Sequence, residues 1–289
     1  VTAPPVGTRS APVLVTGATG RVGRQVVAQL MAAGVPVRAL TRRPEAAGLP
    51  AGVEVVAGDL TAPESMDAAL RGVGSVFLVW TAAPATAAQV VERIAAHARH
   101  IVLLSSPHQT PHPFFQQPNP MAAFHAGLER LIAASGVPST ILRPGMFASN
   151  TVMWWSSQIR AGGVVRWPHG AAETAPVDER DIAAVAARAL VSDVHAGGDY
   201  VLTGPESLSQ ARQVSEIGHA IGRPIRFEEV TPDEFRREIM PHPAANMLLD
   251  AWAATLGHAA YVTSTVAEIT GSPARTFRQW AADHADAFR

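Results

Sequence analysis

Residues 13–27 read VLVTGATGRVGRQVV. Val13 to Val15 is a short apolar run of the kind that forms a buried strand, and Thr16-Gly17 breaks it into a glycine-punctuated turn. Gly17, Gly20 and Gly23 stand in the spacing G-x-x-G-x-x-G. Beyond Gly20 the apolar residues Val22, Val26, Leu30 and Ala33 recur three or four positions apart, as on one face of a helix. The stretch therefore reads strand, tight turn, helix.

That order aims the first backbone N–H groups of a helix, and the positive end of its dipole, at whatever lies above the turn. An anion suits such a place. One glycine permits a turn that a Cβ would hinder, one lets backbone approach a phosphate, and one lets the helix pack on the strand. Any strand-to-helix turn can collect glycines, but here the strand before and the helix after are both present, which favours a dinucleotide.

Upstream, VTAPPVGTRS (residues 1–10) is expected to be a disordered, frayed tail, with no apolar run long enough for a secretory signal. Downstream, residues 36–40 form a second strand that ends at Thr41-Arg42-Arg43-Pro44. In this kind of sheet the end of the second strand meets the adenosine ribose, where an acidic residue would bind the 2′-hydroxyl. None stands there. Guanidinium groups suit a 2′-phosphate, which favours NADPH over NADH, although paired arginines also serve to keep a loop soluble.

A third strand over residues 53–57 closes at Gly58-Asp59-Leu60; Asp59 can cap the next helix or lie beside an adenine. Residues 75–80, SVFLVW, read as a strand buried on both faces, and the small turn that follows, Ala82-Ala83-Pro84, can sit against a cofactor. A crossover helix is expected over 85–97, then a fifth strand over 101–104 that ends in Ser105-Ser106 and a loop with His108 and His112. Residues 121–135 have helical spacing, and a sixth strand over 140–142 leads to Arg143-Pro144-Gly145. The alternation predicts a doubly wound α/β parallel sheet over residues 11–145, with ligands at the carboxyl ends of its strands.

Past Gly145 the composition shifts, with Met146, Phe147, Met153, Trp154, Trp155 and Trp167 in a short span. Such side chains fill cores, or they line a pocket for a large flat substrate; Phe147, Met153, Trp154 and Trp155 are the substrate candidates. Helices are expected over 179–190 and 210–221, strands over 200–202 and 225–230, and two helices over 232–257 broken at Pro241-His242-Pro243. Residues 146–289 thus read as a smaller substrate-binding or lid domain mixed with elements that return to the sheet.

The net charge of −1 over 289 residues gives no electrostatic case for nucleic acid or an anionic membrane, and with no cysteine there is no thiolate or cysteine-bound metal. The histidines show no helical i, i+4 pair, so no metal is expected. No apolar segment is long enough to span a bilayer, so the expected setting is the cytoplasm, as a monomer or homodimer.

TGATGRVG, ALTRRP, GDL, IVLLSS, GLERLIAASGVPSTILRPGMFASN, VDERDIAAVA and TGSPARTFRQWAADHADAF occur in this order across nearly the whole chain. In these motifs the sequence resembles the NmrA-like proteins, NAD(P)-binding members of the atypical short-chain dehydrogenase/reductases. The resemblance implies a Rossmann domain that binds NADP(H). It implies Gly17, Gly20 and Gly23 at the pyrophosphate with Thr19, Arg21 and Val22, and Thr41 and Arg42 at the 2′-phosphate. It further implies Asp59 and Leu60 near the adenine, and Thr81, Ala82, Ser105 and Pro144 along the rest of the cofactor.

Catalytic members of the wider superfamily carry a serine after the fifth strand and a Tyr-x-x-x-Lys pair on the next helix. Alignment of that helix puts Met121 in place of the tyrosine and His125 in place of the lysine, while Ser106 remains as the serine. His125 is then the candidate proton donor, with His108 and His112 as alternatives; a histidine on a helix face can equally be structural. The expected activity is NADPH-dependent reduction of a ketone or quinone in a bulky, aromatic, polyketide-like hydrophobic molecule, as in antibiotic biosynthesis. Two other readings stay open: an NADP(H)-binding redox sensor without catalysis, and a non-redox isomerase or cyclase on the same fold.

Overall fold

The computed structural model describes residues 11–289, so the tail expected over residues 1–10 lies outside the described residues. The chain first alternates through β1 (Val13–Val15), α1 (Arg21–Ala32), β2 (Val37–Thr41), β3 (Glu54–Ala57), a short α2 (Asp67–Leu70), β4 (Ser75–Val79), α3 (Ala87–Ala95), β5 (His100–Leu104), α4 (Pro120–Ala134) and β6 (Ser139–Pro144). It continues through α5 (Asn150–Gly162), β7 (Val164–Trp167), β8 (Glu173–Thr174), α6 (Glu179–Val191), β9 (Asp199–Leu202), β10 (Leu208–Ser209) and α7 (Gln210–Ile221). The last elements are β11 (Arg226–Glu229), α8 (Pro232–Glu234), α9 (Ala244–Ala253), α10 (Thr265–Thr270) and α11 (Phe277–Asp283).

Seven strands form one sheet in the order β3-β2-β1-β4-β5-β6-β9, with parallel pairing from β3 through β6. The chain runs outward from β1 to β3, then returns to the other side of β1 as β4. Ligands bind such sheets at this switch, beyond the carboxyl ends of the two strands. The residues of β1 and β5 are all buried, as are four of the five in β4, which explains why these strands read as unbroken apolar runs. Leu14, Val76, Leu78, Ile101 and Leu103 enter one core with Leu70, Val90, Ile94, Leu128 and Ile132 from the helices. α1 packs on α6, where Gln29 Nε2 donates to Arg180 O at 2.9 Å.

The chain divides into two compact units. Among the described residues the first comprises 11–106, Met121–Pro144 and Glu179–Tyr200; the second comprises Pro107–Pro120, Gly145–Asp178 and Val201–Arg289. The segment from Pro107 to Pro120, expected within the nucleotide domain, belongs to the second unit, whereas α6 returns to the first.

The second unit has its own aromatic core. Trp154, Trp155, Trp167, Phe235 and Trp252 pack together with ring centroids 4.8–6.2 Å apart. Two small pairings, β7 with β11 in parallel and β8 with β10 antiparallel, supply its strands. The region expected to hold two helices around Pro241-Pro243 contains α8, a π-turn over Phe235–Ile239 and then α9, so the break falls where the prolines forbid a continuous helix.

Candidate functional site

The turn between β1 and α1 has the geometry of an anion cradle. Gly17 lies in the left-handed region with φ 59°, and a Cβ on Gly23 would lie 2.1 Å from Gly17 O. At Gly20 the same addition would meet Gly17 O at 3.1 Å. Gly20 is the N-cap of α1 and offers no side-chain acceptor, and the first helical turn carries no acidic residue. Gly20 thus gives the first turn of α1 no side-chain cap, which suits a phosphate there.

Thr16 anchors this turn to β4. Its hydroxyl accepts from Val79 N at 2.8 Å and donates to Val79 O at 3.0 Å. Parallel register brings the other candidates to the same end of the sheet: Val79 pairs with Leu104 and Leu104 with Leu142, so Thr81-Ala82 and Ser105-Ser106 follow the ends of β4 and β5 while Pro144 is the last residue of β6. Thr41 ends β2, with Arg42 exposed beyond it. Val22 and Leu60 are buried, so their side chains serve the core and only their backbone is available to a ligand.

Asp59 holds the next loop, its carboxylate accepting from Thr61 N at 2.9 Å. This backbone hydrogen bond is the main cause of a pKa below the usual aspartate value; the charge of Arg42 contributes in the same direction and less. Trp80 donates its indole N–H to Ala82 O at 2.6 Å and packs on Phe124 of α4, whose neighbour is His125. One side chain therefore sets both the turn after β4 and the helix that carries the candidate donor.

Behind the two serines lies a buried charged network that sequence reasoning missed. Ser105 donates its hydroxyl to Glu129, and Arg143 pairs with Glu129 at 2.8 Å and with Asp199 at 2.6 Å. Arg143 Nη1 also donates to Ser106 O at 3.0 Å. The signal was present as a glutamate on the apolar face of LERLIAA and an arginine before Pro144, but only the fold shows that they meet.

Ser106 and His125 lie in the first unit, whereas His108, Phe147, Met153, Trp154 and Trp155 lie in the second. Trp154 and Trp155 are 8% and 0% exposed. The two indoles pack in the aromatic core of this unit. Met153 on the same helix is exposed, and Phe147 bridges to Val177 through its backbone. A narrow recess in this unit, with room for about one water, is lined by His112, Phe114, Phe115, Met146, Glu173 and Tyr261 among others. Among the described residues no three His, Asp or Glu side chains are placed to hold a metal, and no helix is long and apolar enough to cross a membrane.

Comparison with known proteins agrees with this architecture. The chain is 42% identical over 286 residues to the (4-alkanoyl-5-oxo-2,5-dihydrofuran-3-yl)methyl phosphate reductase of Streptomyces griseus, covering 96% of this chain and 99% of that protein. It is 34% identical over 287 residues to the NAD(P)H azoreductase of Xenophilus azovorans, covering 96% and 99%. Among solved structures, the triphenylmethane reductase of Citrobacter sp. superposes with a TM-score of 0.80 at 22% identity, covering 95% of this chain and 99% of that one. The NADPH-dependent quinone oxidoreductase of Escherichia coli gives 0.78 at 24% identity, covering 94% and 99%; both likenesses concern the fold. The family model described as NmrA-like matches residues 9–270, and the chain belongs to the NmrA-like family.

Proposed function

We propose that this protein is an NADPH-dependent reductase of a bulky, hydrophobic, conjugated small molecule. The observation that carries the reading is the uncapped start of α1 above Gly17, Gly20 and Gly23, joined to a β2 end that offers Thr41, Arg42 and Arg43 in place of an acidic residue. The full-length relatives with reductase names support the same class. When bound, NADPH supplies hydride to an electrophilic carbon or nitrogen of the acceptor.

The helix after β5 bears Met121 and His125 where a tyrosine and a lysine would supply the usual proton. An acceptor that delocalises the incoming charge, such as a quinone or an unsaturated carbonyl compound, needs the least help from a positioned acid. The names of the relatives, which include a furanone phosphate reductase, an azoreductase and a quinone oxidoreductase, fit that chemistry. His125, or a water held by Ser106, delivers the remaining proton. Phe147 and Met153 are the proposed substrate contacts, with the recess around Met146 and Tyr261 as an alternative place for part of the acceptor.

The same missing pair supports a second reading, an NADP(H)-binding regulator without turnover. The test is NADPH oxidation, followed by absorbance, against quinones, polycyclic aromatic ketones and unsaturated lactones, with NADH in parallel. Acceptor-dependent oxidation is the expected result. Tight NADPH binding with no oxidation across the panel would overturn the reductase reading in favour of the regulator.

A further inference from the structure

Arg24 stands on the first turn of α1, directly after Gly23, and its guanidinium donates to three backbone carbonyls. Nε reaches Thr19 O at 2.9 Å, Nη1 reaches Gly48 O at 2.7 Å, and Nη2 reaches Ala47 O at 2.8 Å. Thr19 belongs to the glycine turn. Ala47 and Gly48 close the short 3-10 turn, Pro44–Ala46, that follows Arg42 and Arg43. One side chain thus ties together the two loops assigned to the pyrophosphate and to the 2′-phosphate.

We propose that Arg24 is a positioning residue that couples these loops, so that Arg42 is held at a set distance from the glycine turn; the inference rests on the dinucleotide reading above. An anion cradle must present amide groups and turn carbonyl oxygens away, because each carbonyl carries the negative end of a peptide dipole. Gly17 O accepts from Gly20 N, and Gly20 O accepts from Arg24 N. Thr19 O faces the Arg24 guanidinium, which neutralises the third carbonyl of the turn.

The other end of the tie uses the planar fork of arginine. Gly48 adopts φ 55°, a conformation that glycine enters without a steric cost, and the consecutive carbonyls of Ala47 and Gly48 both face the same guanidinium. A lysine ammonium lacks the rigid fork that serves both carbonyls and Thr19 O together. Arg24 meets Thr19, Ala47 and Gly48 at their backbone carbonyls, so its effect on binding runs through the loops.

The test is a double-mutant cycle read by direct titration of NADPH and NADH, with Arg24→Ala, Arg42→Ala and the double variant beside the wild-type protein. Arg24→Ala is expected to raise the NADPH dissociation constant about tenfold and that of NADH less. Arg42→Ala is expected to lower the NADPH preference strongly in the wild-type background and little in the Arg24→Ala background, since displaced neighbours give non-additive effects. Arg24→Lys is expected to restore less than half of the lost preference; Arg24→Gln replaces Arg24→Ala if the latter does not fold. Fully additive effects, or an unchanged preference in Arg24→Ala, would overturn the coupling while leaving the dinucleotide reading intact. A wild-type protein that binds neither nucleotide would overturn that reading and the coupling with it.

Discussion

Arg143 grips Glu129 with two guanidinium nitrogens, Nη1 to Oε1 at 2.8 Å and Nη2 to Oε2 at 2.9 Å, across the gap between β6 and α4. The arginine side chain is 4% exposed and the glutamate 11%, whereas Asp199, the second carboxylate on Arg143, is half exposed. Loss of the cation would strand Glu129 in the interior, while Asp199 can turn to water. Removal of one partner of a buried pair costs about 3–5 kcal/mol, and removal of both with apolar replacement costs far less. Arg143→Met is therefore expected to lose that much stability in urea unfolding, and Arg143→Met with Glu129→Met to recover most of it. Equal stability of the single and double variants would show that the pair does not act as a unit.

Gly23→Ala places a Cβ 2.1 Å from Gly17 O, a contact that only displacement of the turn can relieve. The expected result is loss of NADPH binding, by about 100-fold or more, in a protein that still folds. Gly162→Ala, at the end of α5 where nothing lies within 4 Å, is the control, and unchanged binding is expected there. Intact binding in Gly23→Ala would move the nucleotide away from this turn.

For catalysis, His125→Phe and Ser106→Ala separate the proton donor from the cofactor site. Turnover should fall by about 100-fold in the variant that removes the donor, with the NADPH dissociation constant kept. A turnover number unchanged in His125→Phe would assign that histidine to packing beside Phe124.

Trp155 is completely buried, and its indole N–H has no hydrogen-bond partner among the described residues. Trp155→Ala should cost about 3–5 kcal/mol through the cavity it leaves. Trp155→Phe should cost clearly less, because it keeps a ring in the core and removes a donor buried without an acceptor. Thermal unfolding of the two variants checks the order; equal losses would show that the N–H is satisfied by water.

Burial lowers the pKa of His195, and the Arg188 charge acts in the same direction. The unfolded chain then binds the proton more readily than the folded one, so stability is complete above the ordinary histidine value of about 6.5 and falls as pH drops below it. His195→Gln is expected to flatten the slope of melting temperature against pH between about 7.5 and 5. Parallel slopes in the two proteins would place the acid sensitivity elsewhere.

The sequence alone determined the strand, turn and helix around Gly17, the alternation that makes a parallel sheet, and the basic end of β2. These are local matters: period, turn chemistry and dipole act over a few residues, and VLVTGATGRVGRQVV contains all of them. What only the tertiary structure decided depends on residues far apart in the chain. Trp154 and Trp155 read the same in sequence whatever they pack against, and only the fold brings Trp167, Phe235 and Trp252 around them. Likewise the segment after Ser106 joined the second unit, Arg143 found Glu129 and Asp199, and Arg24 reached Ala47 and Gly48. A side chain's partners across the fold are set by packing of whole elements, and no local pattern encodes them.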